Sequence, residues 1–190
     1  MASAARVRPM SNPLRILKTV DQHLTLPAEI TLFGRSALAL GYSPVPPHFQ
    51  NTKDVDGILS LSWLQPPDEH EDFWRAVQLA NSELEPDGLY LTHLFREVDV
   101  ILQPDWFNRR VRIDVELKKL EVFRPATIDL VLTKMARADD DDLKDIQFLI
   151  RTESLTREQL GVAFARARVP DVPEIQELFN QARPKVLALV

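Results

Sequence analysis

Apolar positions near the start of the chain keep a helical spacing. Leu14, Leu17, Val20 and Leu24 recur every three or four residues, with Asp21 as a polar break. Asn12 followed by Pro13 reads as an N-cap with proline at the first helical position, and Pro27 ends the helix. Glu29 to Phe33 is a short apolar run of strand length that stops at Gly34. Arg35 to Leu40 is rich in helix formers and stops at Gly41. Tyr42 to Asn51 holds Pro44, Pro46 and Pro47 and reads as a stiff loop. Asp54 to Trp63 alternates like a half-buried strand. Asp68 and Glu71 read as a capping box before a helical face of Phe73, Val77, Ala80 and Leu84.

The middle of the chain changes period. Asp87-Gly88 is a turn signal, followed by strand-like runs at Leu89 to Phe95, Glu97 to Leu102 and Val111 to Phe123. Pro104 to Arg110 interrupts them. After Pro125 the pattern is helical to the end. One stripe is Ile128, Val131, Leu132 and Met135, and the next is Leu143, Ile146 and Ile150. A Thr156–Gln159 capping box opens a third helix, and Ile175, Leu178, Phe179 and Ala182 mark a fourth, up to Pro184. Strands mixed with helices, then helices alone, give an α+β fold with a mixed or antiparallel sheet. The expected division is a tail over 1–11, an α/β core over 12–124, and a helical part over 125–190 packed on the core.

Composition narrows the chemistry. The 190 residues contain no cysteine, which excludes disulfide scaffolds, thiolate zinc sites and cysteine nucleophiles, and suits a cytoplasmic location. Five glycines against fourteen prolines leave no G-x-G-x-x-G or P-loop. A net charge of −5 argues against a general nucleic-acid coat. Arg6 and Arg8 are followed by no apolar run of a secretion signal, and no stretch approaches the ~20 apolar residues of a membrane span. A membrane partner is therefore not expected.

Two segments carry chemistry. In a strand over 54–60, Asp54 and Asp56 point to one face, roughly 6.6–7 Å apart along the chain. Such a carboxylate pair suits a hard divalent cation, Mg2+ or Mn2+. Upstream, Gly34 turns a strand into a helix, so backbone N–H groups, the Ser36 hydroxyl and the Arg35 guanidinium form a candidate anion cradle. Either segment alone is a weak signal in a chain with 28 acidic residues. Their order is more specific.

That order, ITLFGRSALALGY and then TKDVDGIL, resembles the nucleotidyltransferase superfamily with the DNA polymerase β-type core. Within it the chain is most similar to the small bacterial proteins related to AbiEii abortive-infection toxins. The resemblance implies a mixed-sheet nucleotidyltransferase core flanked by helices. Gly34 and Ala37 fall on the turn and helix of its first motif, and Thr52, Asp54 and Asp56 on T-x-D-x-D. Lys134 falls on its lysine-bearing helix, and Asp142 and Asp145 on D-x-x-D-I. Asp99, within EVDVIL, takes the place of the third carboxylate, with Glu97 as its rival. Arg35 stands where a second Gly or Ser is usual, and Gln50 stands near the place of a usual Arg.

The activity implied is Mg2+-dependent transfer of a nucleoside monophosphate from a nucleoside triphosphate (NTP). The acceptor would be RNA, protein or a small molecule, and the implied partner an antitoxin-like protein. Asp54, Asp56 and Asp99 would hold metal, Gly34, Arg35, Ser36 and Thr52 would meet the nucleotide, and Lys134, backed by Asp142 and Asp145, would pair with phosphate. The alternative is a nucleotidyltransferase-fold protein that binds or regulates with little catalysis. Elsewhere, Asp139 to Asp142 reads as a solvated helix N-terminus. Asp145 is placed to orient Lys134 or an arginine. The four histidines show no metal-ligand spacing, and His48 reads as an exposed loop residue. Arg109, Arg110 and Arg112 beside Trp106 and Phe107 read either as a nucleic-acid grip or as a turn with core aromatics.

Overall fold

A computed structural model describes residues 10–65 and 67–190. The expected tail lies, up to residue 9, outside these residues. The described residues form one five-stranded sheet in the order β3-β2-β1-β5-β4. Its strands are β1 (Ala28–Phe33), β2 (Asp54–Leu59), β3 (Tyr90–Arg96), β4 (Val111–Arg112) and β5 (Leu120–Arg124). β1 runs antiparallel to β2 and parallel to β5; β2 and β3 are parallel, and β4 closes antiparallel on β5. The mixed sheet and α+β class match the pattern of the sequence.

Helix α1 (Asn12–His23) starts one residue earlier than expected, because Ser11 caps it and accepts from the Leu14 N–H. Its polar break is structural. The buried Asp21 carboxylate accepts backbone N–H bonds from Lys118, Lys119 and Leu120, tying α1 to the approach of β5. Burial alone would raise the pKa of Asp21, but these bonds outweigh it and leave the group below its ordinary value. Helix α2 (Gly34–Gly41) follows β1 without a linker. The proline-rich loop is not wholly irregular: Pro47–Gln50 forms a single turn, α3, with proline as its first residue. Helix α4 (Glu71–Leu84) packs on α1 and opens at His70 without a side-chain cap. The expected Asp68 cap concerns a side chain outside the described residues.

Ile30 and Leu32 of β1 join the large core made by α1, α2, α4 and the C-terminal helices. On the other sheet face, Ile58 packs with Val100, Leu102 and Trp106. Both faces are thus covered, by helices on one side and by the 97–110 segment on the other.

That segment corrects the sequence reading. Glu97–Asp99 is a single 3-10 turn, not the start of a strand. Glu97 explains why: its carboxylate accepts from the Leu61 N–H at 2.8 Å and the Trp106 indole at 2.7 Å, which folds the chain back. Leu102 instead bridges Arg168 after α7. Likewise β2 stops at Leu59, and 113–119 leaves the ladder between β4 and β5.

The C-terminal helices are α5 (Thr127–Lys134), α6 (Asp140–Glu153), α7 (Arg157–Arg166) and α8 (Pro173–Leu187). The Thr156–Gln159 capping box of α7 is formed as expected. Pro184 lies inside α8 and does not end it. No helix among the described residues is long and apolar enough to cross a membrane.

Candidate functional site

The head of α2, the edge of β2, β3 and the α5–α6 junction enclose a cleft of about 700 Å³. It is lined by every residue assigned from the motifs except Ala37 and Asp145: Gly34, Arg35, Ser36, Thr52, Asp54, Asp56, Asp99, Lys134 and Asp142. Register brings the first two motifs together. Phe33 of β1 is paired with Asp56 of β2, so Gly34, the next residue, lies beside that carboxylate. Gly34 has φ +63°, a left-handed conformation that lets the strand turn directly into α2.

Asp54 and Asp56 lie on the face of β2 that carries Ile58, as alternation requires. The Thr52 hydroxyl donates to Asp54 at 2.7 Å. Burial, and next the Asp54 charge, raise the pKa of Asp56 above the ordinary carboxylate value. A divalent cation offsets this kind of crowding, so the donor set fits one.

His93 joins this pair, which the sequence reading did not foresee. One ligand atom each from Asp54, Asp56 and His93 lie within 4.8 Å of one another, and His93 Nδ1 is 3.2 Å from Asp56 Oδ1. The cause is a β-bulge. Val55 pairs with Leu91 but Gly57 pairs with Leu94, so Thr92 and His93 together oppose Asp56. Asp99 also faces the cleft but is not in that group. Arg96 grips it with two bonds of 2.8 Å, and that pairing keeps its carboxyl below the usual range. Glu97, its rival, is committed to the Leu61, Trp106 and Arg168 contacts and does not line the cleft.

The opposite wall is cationic and tightly paired. The buried Lys134 ammonium donates to Asp145 at 2.7 Å and Asp142 at 3.2 Å. Asp145 also accepts from Arg35 at 3.2 Å, so it orients both a lysine and an arginine. Burial works against the Arg35 cation, but Asp145 and Asp141 more than offset it and raise its pKa. Arg137, absent from the motif assignment, bonds Asp142 at 2.8 Å and pairs with Asp139 at 2.7 Å. Its signal was its place three residues after Lys134. Asp142 is 4% exposed, so the acidic run is not simply a solvated helix start.

Three other expectations meet different outcomes. Ser36 lines the cleft, but its hydroxyl is buried and donates to the Phe33 carbonyl at 2.9 Å, which ties it to the turn. His48 is exposed, as expected, but sits in the single turn α3, where its ring packs on Phe49 outside the cleft. The arginine knot follows the turn reading, with Trp106 in the core and each arginine paired to a carboxylate of the chain, Arg112 at the surface. Arg109 bonds Asp129, Arg110 bonds Glu29 and Thr31 and stacks on Phe107, and Arg112 pairs with Glu121.

No curated protein and no solved structure matches the chain. A family model, described as a nucleotidyltransferase of unknown function (DUF6036), matches residues 14–160. That span is more than half of the chain and holds every cleft residue named above. The chain therefore belongs to this nucleotidyltransferase family.

Proposed function

We propose that the protein transfers a nucleoside monophosphate from an NTP to an acceptor in a reaction that depends on a divalent cation. The observation that carries this reading is the convergence of the Gly34 turn with Asp54 and Asp56, opposite a wall bearing Arg35, Lys134 and Arg137. Asp54 and Asp56 would hold the cation, Mg2+ or Mn2+. Bound there, it would neutralise charge on the transferring phosphoryl group. The cationic wall draws the triphosphate tail, with Arg35 and Arg137 at its open rim. The backbone N–H groups at the head of α2 face the same anion. The remaining wall, with Phe95 of β3, is left to the acceptor. The acceptor's nucleophilic atom would attack the α-phosphorus and pyrophosphate would leave.

Family membership supports the class of reaction. An RNA or protein acceptor and a toxin–antitoxin role rest on the likeness of the motifs to AbiEii-related proteins. The test is incubation with each α-labelled NTP, Mg2+ or Mn2+, and a cell extract. Wild type should label one RNA or protein band, and the Asp54→Asn, Asp56→Asn variant should label none. Equal labelling by both proteins would refute the assignment.

One observation favours a second reading, a binding or regulatory protein with little catalysis. Lys134, Arg35 and Arg137 are each already paired with carboxylates of α6 or its cap. Absence of NTP binding by calorimetry, with either cation, would favour it.

A further inference from the structure

We propose that His93 is a third protein ligand of the cation in the cleft, and that its imidazole shifts the site from Mg2+ toward first-row transition ions such as Mn2+. This rests on the nucleotidyl-transfer reading of the cleft and names the cation more closely.

Distances fit the role. An octahedral ion with ligands at ~2.1 Å sets adjacent ligand atoms roughly 3 Å apart and opposed ones about 4.2 Å apart. His93 Nδ1 and Asp56 Oδ1 are 3.2 Å apart, and one atom from each of Asp54, Asp56 and His93 falls within 4.8 Å of the others. The imidazole is also positioned. The bulge in β3 aims it at Asp56, its ring stacks on Phe95 at 5.8 Å, and the Thr92 hydroxyl lies 3.0 Å from Nδ1. The other cleft carboxylate on this side, Asp99, is held by Arg96 and is not gathered with the pair.

The donor chemistry sets the preference. Two carboxylates alone suit Mg2+, which takes oxygen almost exclusively. A nitrogen donor gives Mg2+ little but strengthens binding of transition ions. An Asp–Asp–His set therefore separates Mn2+ from Mg2+ more widely than carboxylates alone.

Mn2+ alone is the probe, because its free ion is counted by electron paramagnetic resonance. Mg2+ affinity is then read by competition. In wild type, pulsed spectra of bound Mn2+ should show coupling to an imidazole nitrogen. His93→Ala should abolish this coupling and weaken Mn2+ about tenfold, at least the loss seen when an outer-shell partner is removed. Mg2+ should change less than threefold. His93 is 63% exposed at its side chain, so the variant should melt like wild type.

Wild-type Mn2+ without nitrogen coupling, or equal Mn2+ affinity in His93→Ala, would overturn the proposal. The Asp54→Asn, Asp56→Asn variant separates the two readings. If it loses both ions while His93→Ala changes neither, only the ligand role of His93 falls. If it loses neither, the reading of the cleft falls with it.

Discussion

Gly34 and Asp56 stand so close that a β-carbon on Gly34 would lie 3.4 Å from Asp56 Oδ2. The contact joins the turn that begins α2 to the carboxylate pair of β2. Two constraints meet at this glycine: a φ of +63°, which disfavours any side chain, and Asp56, which a β-carbon would just touch and a longer side chain must pass. Substitutions can divide them. Gly34→Ala should lose about 1–2 kcal/mol, the cost of a left-handed non-glycine residue. Gly34→Asn tolerates that backbone better, yet its larger side chain must still pass Asp56. It should melt closer to wild type than Gly34→Ala while losing Mn2+ binding. Thermal melts and metal titrations of both variants check this.

Lys134 and Asp145 form a buried ion pair at 2.7 Å, with side chains 7% and 1% exposed. Breaking such a pair from one side leaves an uncompensated charge. Lys134→Met and Asp145→Leu should each cost about 3–5 kcal/mol. The double variant should recover part of that loss, since removing both charges leaves none buried alone. Recovery will be incomplete, because Asp145 also holds Arg35 and Asp142 also faces Lys134. Urea unfolding of the two single variants and the double variant gives the coupling directly.

The site was legible in the sequence where it depends on local period, and illegible where it depends on register. Asp54 and Asp56 share a face because a strand alternates, so spacing alone placed them together. Lys134, Asp142 and Asp145 meet through helix positions that motif order located. His93 could not be found this way. Strict alternation puts it on the face of Leu91, and only the bulge opposite Asp56 turns it toward the cleft. The strand expected around Asp99 failed for a related reason, since its apolar flanks suggested alternation where the chain makes a 3-10 turn. The chain there is turned by long-range bonds to Glu97, from Leu61 and Trp106, that no local pattern records. The arginine knot offered two readings, and the partners that pair its cations, Glu29, Glu121 and Asp129, lie on other segments.

Asp21 predicts an acid-sensitive element. Its carboxylate accepts three backbone N–H groups, and its pKa lies below the ordinary value in the folded state. A depressed pKa stabilises the fold above the unfolded pKa of about 3.9, and that stabilisation is lost as pH falls through the folded value. Asp21→Ala should cost about 3 kcal/mol at pH 7, because hydrogen bonds to a charged group are lost and buried donors are left unpaired. The gap between wild type and variant should hold down to about pH 4 and narrow below it. Urea unfolding at pH 7, 4 and 3 measures the gap. A constant gap would show that the Asp21 charge is not what holds β5 to α1.

Arg137 and Asp139 predict opposite effects on nucleotide affinity. Arg137 is 71% exposed at its side chain and pairs with Asp139 at 2.7 Å on the cleft rim. An exposed pair of this kind is worth only about 0–1 kcal/mol to the fold. A triphosphate entering the cleft must compete with Asp139 for the same guanidinium. Arg137 also bonds the buried Asp142, which keeps Lys134 as a second partner. Arg137→Ala should therefore lower the melting temperature modestly and weaken binding of a non-hydrolysable NTP analogue about tenfold, the loss of one charge-assisted bond. Asp139→Asn should do the reverse. Asp139 caps α6 by accepting from the Asp141 and Asp142 N–H groups, and asparagine caps as well as aspartate. The variant keeps the helix start but removes the competing charge, so analogue affinity should rise several-fold with the fold intact. Calorimetry of the two variants decides it, because a purely structural role for Arg137 would leave both affinities at the wild-type value.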